Sequence, residues 1–363
     1  MRIPLKKIDI YIIRKFLSTF FYSLALIIVI VIIFDISEKV DDFIDKQAPL
    51  KEIVFQYYLN FIPYFANLFS PLFTFIAVIF FTSKMASHTE IIAMLSSGVS
   101  YRRIFRPYLI SAVLIALMSF YLANFVIPHS NQIRINFRNK YVEKMTKNKE
   151  RNIHLQLSPG VFAYVEYYDN RLKTASNFSL ENMSSEVGMF YKITARNMVY
   201  DTIINQWTLN DYYRRTFNGM HEQVETGKMM RVTLPLKPSD FMIQKEDYET
   251  MNYGELRTYI DKEKIKGSDL IKLYEVEKHK RLAFPFSTII LTMIGMAVSS
   301  RKMRGGIGMH LGYGLIVSFS YILFMQISTT FATFGSLPPI IAVWIPNLIF
   351  GVIAMIMFRM APK

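Results

Sequence analysis

The feature that most constrains this chain is a series of long apolar runs without charged side chains. An uncharged apolar run of about 18 residues or more is long enough to cross a bilayer core about 30 Å thick. The last run is long enough for two spans, which Gly335 to Pro339 would separate. The sequence therefore predicts six membrane-spanning helices, which lie in the following runs: Phe16 to Phe34, Ile53 to Ser83, Pro107 to Pro128, Leu282 to Ser300, and Gly305 to Phe358.

Composition excludes a soluble enzyme. The chain is 52% hydrophobic and only 19% charged, whereas soluble domains carry about 25% charged residues. It has no cysteine, which excludes disulfides and thiolate sites. The histidines are scattered without metal-ligand spacing, and no nucleophile motif or phosphate loop occurs. We therefore expect no metal, no cofactor and no catalytic site in this chain.

The distribution of basic residues predicts the orientation, because Lys and Arg collect in the short segments on the inner side of a membrane. The N-terminal segment, the second and fourth connections and the C-terminal tail are rich in Lys and Arg, with Asp9 and Glu90 as their only acids. The first connection is acidic instead. Both termini are predicted to lie inside. The formal net charge of +14 is mostly this signal and does not require nucleic-acid binding.

The segment 129–281 is predicted to form an outer domain between the third and fourth spans. It follows a transmembrane domain (1–128, with a cytoplasmic helix at 87–98) and precedes a second one (282–363). Turn signals separate runs of β-forming residues, at the spacing of an all-β sandwich or jellyroll-like roll. The predicted elements are a helix at Asn131–Arg151, strands at Val161–Tyr168, Thr174–Leu180, Met189–Tyr200, Gln206–Phe217 and Glu222–Leu236, and helices at Asn252–Lys264 and Ser268–Arg281.

Apolar residues in the predicted strands have two possible roles. Phe162, Tyr164 and Tyr167, and the run Met229 to Val232, could line an apolar groove or fill the domain core. Alternating apolar residues mark a buried face whatever that face contacts. The core is therefore the favoured interpretation for each of them, and the groove is the alternative.

The segment between the second and third spans predicts a short amphipathic helix. Thr89 can cap it and Gly98 can end it. Its apolar face would comprise Ile91, Met94 and Leu95, and Glu90 is its only acidic residue. Such a helix could lie in the membrane interface or dock a partner protein. The spacing alone leaves both interpretations open.

Three segments carry a resemblance to a known family. The run from Thr89 to Gly98 resembles the coupling-helix signature of the LptF/LptG permease family. The start, Ile8 to Ile13, and the later run from Gly335 to Asn347 are similar to that family as well. Six spans with one large outer domain after the third also match, so the resemblance covers the whole chain.

The resemblance implies a bacterial inner-membrane exporter of lipopolysaccharide. The family's LptF and LptG form a heterodimer driven by a cytoplasmic LptB ATPase dimer, which binds ATP and Mg²⁺. Lipid passes through periplasmic β-jellyroll domains toward LptC-like and LptA-like bridge proteins. Leu337 to Pro339 and Trp344 to Pro346 resemble LptG more than LptF. By this resemblance the coupling residues are Glu90, Ile91, Met94, Leu95 and Gly98.

Three further predictions concern lipid contact and helix packing. Some relatives carry lysines at the outer end of the first span, suited to lipid phosphates, but here Lys39 stands among acids, which argues against direct phosphate capture. The candidate residues of a lipid path are nevertheless Lys39 at this position and Phe162, Tyr164 and Val232 in the outer domain. Gly308 and Gly312 would let the fifth span pack closely against a neighbour.

Three alternatives stay open at this point. A lipoprotein-releasing or efflux subunit usually has four spans rather than six. A membrane-anchored scaffold would bind a partner through its outer domain and would bind no ATPase. An intramembrane enzyme would need a catalytic constellation, which the sequence lacks.

Overall fold

A computed structural model describes residues 6–142, 151–169, 172–184, 188–219, 221–241, 247–266, 270–300 and 306–360. The chain divides into two compact units. One comprises residues 1–142, 249–254 and 272–363, and the other comprises residues 143–248 and 255–271. The first unit is the helical bundle and the second contains the β-sheet.

The described residues contain six helices that are long and apolar enough to cross a membrane. This count confirms the predicted spans, and the first, third and fourth helices continue well beyond their apolar runs. We label these six helices together with the short helices between them. They are α1 (Lys7–Asp45), α2 (Leu50–Ser87), α3 (Glu90–Ser96), α4 (Tyr101–Tyr141), α5 (Asp247–Thr250), α6 (Tyr253–Lys266), α7 (Ile271–Ser299), α8 (Gly306–Phe334) and α9 (Pro339–Arg359).

Two of the spanning helices contain a π-helical turn, in which the helix carries one extra residue. The turn in α2 is Ile53–Tyr58 and the turn in α4 is Leu122–Val126. Such turns are rare and often lie at functional sites. The α2 turn carries Tyr57 and Tyr58, which contact α1 at the far end of that helix.

Prolines inside the helices free carbonyl groups that other helices then satisfy. Pro346 has no N–H, so the carbonyl of Ala342, four residues earlier, loses its usual donor. The hydroxyl of Ser328 in α8 donates to that carbonyl at 2.6 Å. Nearby, the Asn347 amide donates to the carbonyl of Ala283 in α7 at 2.8 Å. These bonds tie α7, α8 and α9 together where water cannot supply a partner.

Close helix packing uses glycines other than the two predicted. A Cβ atom on Gly295 would meet Phe75 and Val78 at about 3 Å, and one on Gly314 would clash with Ile79. By contrast, a Cβ on Gly308 or Gly312 would meet no atom of the described chain within 4 Å. Inside this chain, the residue that permits the close contact between α8 and α2 is Gly314. The role of Gly308 and Gly312 toward another chain stays a prediction.

The β-domain is a single antiparallel sheet of six strands, in which each strand pairs with the next along the chain. The all-β domain between the third and fourth spans is therefore confirmed, and its strand order is that of a meander. The strands are β1 (Arg151–Ser158), β2 (Val161–Asp169), β3 (Thr174–Ser184), β4 (Gly188–Asp201), β5 (Gln206–Asn218) and β6 (His221–Val232).

One predicted helix in this region was too long, and one strand was missed. The helix predicted at Asn131–Arg151 ends at Tyr141, and residues 143–150 of that prediction lie outside the described residues. Arg151 instead begins β1, a strand that the sequence analysis missed. Its residues are mostly polar on one face, so its alternation of Ile153, Leu155 and Leu157 was hidden in a polar stretch.

One face of the sheet carries the core of the β-domain. The segment after β6 closes this core: Trp207 donates its indole N–H to the carbonyl of Leu236 at 2.8 Å, and Phe241 stacks on Tyr168 at 4.8 Å. Burial raises the pKa of Tyr168 to about 12. The apolar face of the sheet is thus covered by the chain's own side chains.

Candidate functional site

The short helix α3 lies against the bundle through the face predicted to be apolar. Ile91 is fully buried, and Met94 and Leu95 pack against the same cluster, which includes Ile12 and Phe16 of α1. These side chains are therefore held by the chain itself. The face of α3 that stays exposed carries Ile92, Ala93 and Ser96 instead.

The two ends of α3 are formed differently from each other. Gly98 adopts a left-handed conformation with φ of +81° and ends the helix as predicted. The N–H of Val99 donates to the carbonyl of Met94, and the N–H of Gly98 donates to that of Leu95. This is the Schellman arrangement, which satisfies the last carbonyls of a helix. The predicted Thr89 cap was wrong, because that hydroxyl donates to the carbonyl of His88.

A buried ion pair joins α1 to the start of α4. The guanidinium of Arg103 donates to both carboxylate oxygens of Asp9, at 2.6 and 2.5 Å. Asp9 is only 3% exposed, and it also accepts the backbone N–H of Lys6 at 2.8 Å. Paired geometry of this kind is among the strongest hydrogen-bonded arrangements in proteins.

A second contact joins α1 directly to α3. The phenol of Tyr11 donates to the carboxylate of Glu90 at 3.2 Å, and His88 lies 4.0 Å from the same carboxylate. Glu90 keeps about a third of its side chain exposed. We call Asp9, Tyr11, Glu90 and Arg103 the α1–α3 contact. It attaches both ends of the connection between α2 and α4 to the first turns of α1.

The other end of α1 carries a second polar group, which we call the α1–α2 cluster. The carboxylate of Asp35 pairs with the ammonium of Lys39 one turn later and accepts hydrogen bonds from the phenols of Tyr57 at 3.3 Å and Tyr58 at 3.1 Å. Lys39 also donates to Tyr57 at 2.5 Å. Lys39 thus has a counterion on its own helix, and its role in a lipid path stays a prediction.

The three candidate lipid-path residues of the β-domain lie on different faces of the sheet. Val232 packs against the core cluster. Phe162 alternates with the buried Ala163 and is 40% exposed, and Tyr164 shares its face. The core interpretation therefore holds for Val232 and was wrong for Phe162. Phe162 and Tyr164 line an open groove on the face opposite the core.

Sequence reasoning missed the Asp9–Arg103 pair, although a signal for it was present. Asp9 and Glu90 are the only acids of the predicted inner segments, and the structure brings both to the first turns of α1. A single carboxylate among several cations is attracted to each of them, so pairing with one of them was the expectation to state. Within the residues that the structure describes, no group of acids and histidines could hold a metal ion.

The fold and these contacts define a class of protein: a multi-pass membrane protein with a β-domain between its third and fourth spans. The model of one family, described as lipopolysaccharide export system permease LptF/LptG, matches residues 10–360. The chain belongs to this family. No curated protein matches the chain.

Proposed function

We propose that this chain is a permease subunit of an ATP-driven exporter that extracts lipopolysaccharide from the inner membrane. It delivers the lipid to LptC-like and LptA-like bridge proteins, and a separate LptB-like ATPase dimer binds the ATP and Mg²⁺. Family membership supports this function. The single observation that carries it is the family match over residues 10–360. The α1–α3 contact supports the coupling part of the proposal, because it joins a partly exposed helix to a spanning helix.

The proposal makes α3 the docking site of the ATPase. Basic residues surround α3 in the sequence, so we assign this side to the cytoplasm and the β-domain to the periplasm. Because Ile91, Met94 and Leu95 pack against the bundle, the docking surface consists of Ile92 and Ala93 together with the exposed part of Glu90. In this proposal, movement of the docked ATPase is transmitted to α1 through the α1–α3 contact.

Charge reversal at Glu90 tests this assignment. Glu90→Lys should release the ATPase and stop lipid release, because a cation would replace the carboxylate that meets a partner arginine. Insertion should stay normal, because Glu90 is partly exposed. The measurements are co-purification of the ATPase and lipid release in vesicles. Glu38→Lys, the same reversal at an exposed site near the other end of α1, is the matched control. Normal ATPase binding by Glu90→Lys would refute the coupling role.

A second permease chain of the LptF/LptG type is the proposed neighbour of α1 and α8. Of an 18-residue apolar stretch in each helix, only 17% is buried within the chain in α1 and 33% in α8. Gly308 and Gly312 lie exposed on α8. Since the chain has no cysteine, Gly308→Cys and Gly312→Cys give a clean background for cross-linking. Both should cross-link to the second chain, whereas the buried Ser318→Cys should not. Equal cross-linking at all three positions would contradict this interface.

The lipid path through the β-domain is also a proposal. Because Phe162 and Tyr164 lie on the open face of the sheet, photo-crosslinkers there should label glycolipid while ATP is hydrolysed. A photo-crosslinker at Val232, which packs against the core, should label glycolipid only if the core opens during transport. Labelling confined to unrelated solvent-facing positions would make the domain a docking module instead. The resemblance to LptG rather than LptF stays a prediction, which the identity of the co-purified second chain would test.

A further inference from the structure

The β-domain has an open groove on the face opposite its core. The groove has a volume of about 820 Å³, within the range of about 300–1,000 Å³ typical of small-ligand sites. Two neighbouring rows of residues cross strands β1 to β4 there. The rows are Gln156–Phe162–Glu181–Lys192 and His154–Tyr164–Ser179–Thr194.

The aromatic side chains form one half of the groove. Phe162 is exposed, and Tyr164 lies in the next row with its ring 4.8 Å from the ring of His154. The phenol of Tyr164 donates to the side chain of Asn152 at 2.8 Å, which fixes the orientation of the ring. The result is a rigid aromatic surface that is open on one side.

Charged side chains form the other half. Lys192 pairs with Glu181 at 2.6 Å, and Arg196 is exposed in the groove. Glu181 neutralises Lys192, and the carboxylate of Glu166 beside the groove accepts a hydrogen bond from the lining residue Asn177, so Arg196 is the cation that the described lining offers to a ligand. The groove therefore favours an anionic ligand.

Acyl chains do not fit this lining. Placing a hydrocarbon over Glu181, Lys192 and Arg196 would remove their charges from water without a new partner, which is unfavourable. The face of the sheet that suits hydrocarbon is the opposite one, and Trp207, Leu236 and Phe241 close it. A ligand of this groove must instead combine an apolar ring face with polar and anionic groups.

We propose that the groove binds the phosphorylated or otherwise acidic saccharide part of a glycolipid. A sugar ring has a C–H face that packs on Phe162 and Tyr164, and hydroxyls that both donate to Glu181 and accept from Lys192. Arg196 binds the anionic substituent through charge-assisted hydrogen bonds. This assignment rests on the proposed function, because it takes the ligand class from a glycolipid exporter.

Binding to the purified full chain in detergent, without ATPase or ATP, tests the proposal. The probes are a phosphorylated glucosamine disaccharide without acyl chains, the same disaccharide without phosphate, and inorganic phosphate. The phosphorylated sugar should bind best and inorganic phosphate worst. Arg196→Gln should weaken binding of the phosphorylated sugar about tenfold and leave the neutral sugar unchanged. Phe162→Ala should weaken binding of both sugars.

The matched control is Arg257→Gln, an exposed arginine on α6 outside the groove, which should bind all probes normally. If inorganic phosphate binds as well as the phosphorylated sugar, the groove is an anion site only and the saccharide assignment is overturned. Sugar binding that survives both groove variants also overturns it. Because this assay needs no ATPase, loss of coupling in Glu90→Lys tests the proposed function separately.

Discussion

The two ends of α1 are both held by polar groups, but the partners come from different parts of the chain. At its N-terminal end, Asp9 pairs with Arg103, far along the sequence, through two hydrogen bonds, and the Asp9 carboxylate is buried while Arg103 stays partly exposed. At its C-terminal end, Asp35 pairs with Lys39 of the same helix, and only the phenols of Tyr57 and Tyr58 come from α2.

This difference indicates how each end of α1 is attached to the other helices. An ion pair between two helices fixes their relative position, because moving either helix exposes a buried charge. An ion pair within one helix neutralises its charges wherever that helix moves. We therefore expect the N-terminal end of α1 to follow the α2–α4 connection, whereas the C-terminal end is held against α2 and α4 mainly by the apolar packing of Phe43 on Tyr57 and Phe137.

The largest expected effect comes from breaking the inter-helix pair. Arg103→Ala should lower the free energy of unfolding by about 3–5 kcal/mol, because it leaves the buried Asp9 carboxylate without its cation. The exposed neighbour Arg102→Ala is the control and should cost under about 0.5 kcal/mol. Unfolding in detergent measures both. Equal losses in the two variants would contradict the buried pair.

Swapping the two charges sharpens the same point. Asp9→Arg combined with Arg103→Asp should recover part of the stability and of the coupling between ATP hydrolysis and lipid release. The reason is that an acid and a base still face each other between the two helices, whereas the hydrogen bond from the backbone N–H of Lys6 to the Asp9 carboxylate is lost. A double variant no better than Arg103→Ala alone would show that orientation, rather than charge pairing, decides the contact.

A smaller effect is expected at the other end of α1. Asp35→Ala should cost about 1–3 kcal/mol, because the partly exposed Lys39 and the buried phenols of Tyr57 and Tyr58 lose their shared acceptor. Asp42→Ala, an exposed acid on the same helix, is the control. A loss as large as that of Arg103→Ala would remove the distinction between the two ends.

The smallest effect is expected at the rim of the α1–α3 contact. Tyr11→Phe should cost under about 1 kcal/mol of stability, because its bond to Glu90 is long and partly exposed. It should nevertheless reduce lipid release per ATP hydrolysed, since it removes the direct hydrogen bond between α1 and α3 while the apolar packing of the two helices stays. The highly exposed Tyr22→Phe provides the comparison. Unchanged coupling in Tyr11→Phe would assign force transmission to Asp9 and Arg103 alone.

Much of the fold could be predicted because it depends on patterns local to the sequence. Long uncharged runs are sufficient to identify six spans, and Gly98 ends α3 by the conformation that glycine favours. The strands of the β-domain were visible wherever turn residues separated them. β1 was missed because its apolar residues alternate within a stretch rich in polar ones.

The rest could not be predicted because it depends on which face of one helix or strand packs against which other element. Ile91, Met94 and Leu95 were correctly placed on one face of α3, yet the sequence cannot say whether that face meets a partner or the bundle. Gly308 and Gly312 have the spacing of a packing motif, but Gly314 makes the close contact because the rotation of α8 is set by tertiary packing. Phe162 shows the same limit in a strand, because alternation places it on one face of the sheet but does not say whether that face is the core.

The π-helical turns at Ile53–Tyr58 and Leu122–Val126 have a consequence for how length can vary among related chains. One extra residue rotates the part of the helix beyond it by about 100° about the helix axis. It shifts that part along the membrane normal by less than a full helical turn. Loss of one residue there would restore a regular helix. Insertions and deletions of single residues should therefore collect at these two turns, while the remaining length of each helix stays constant.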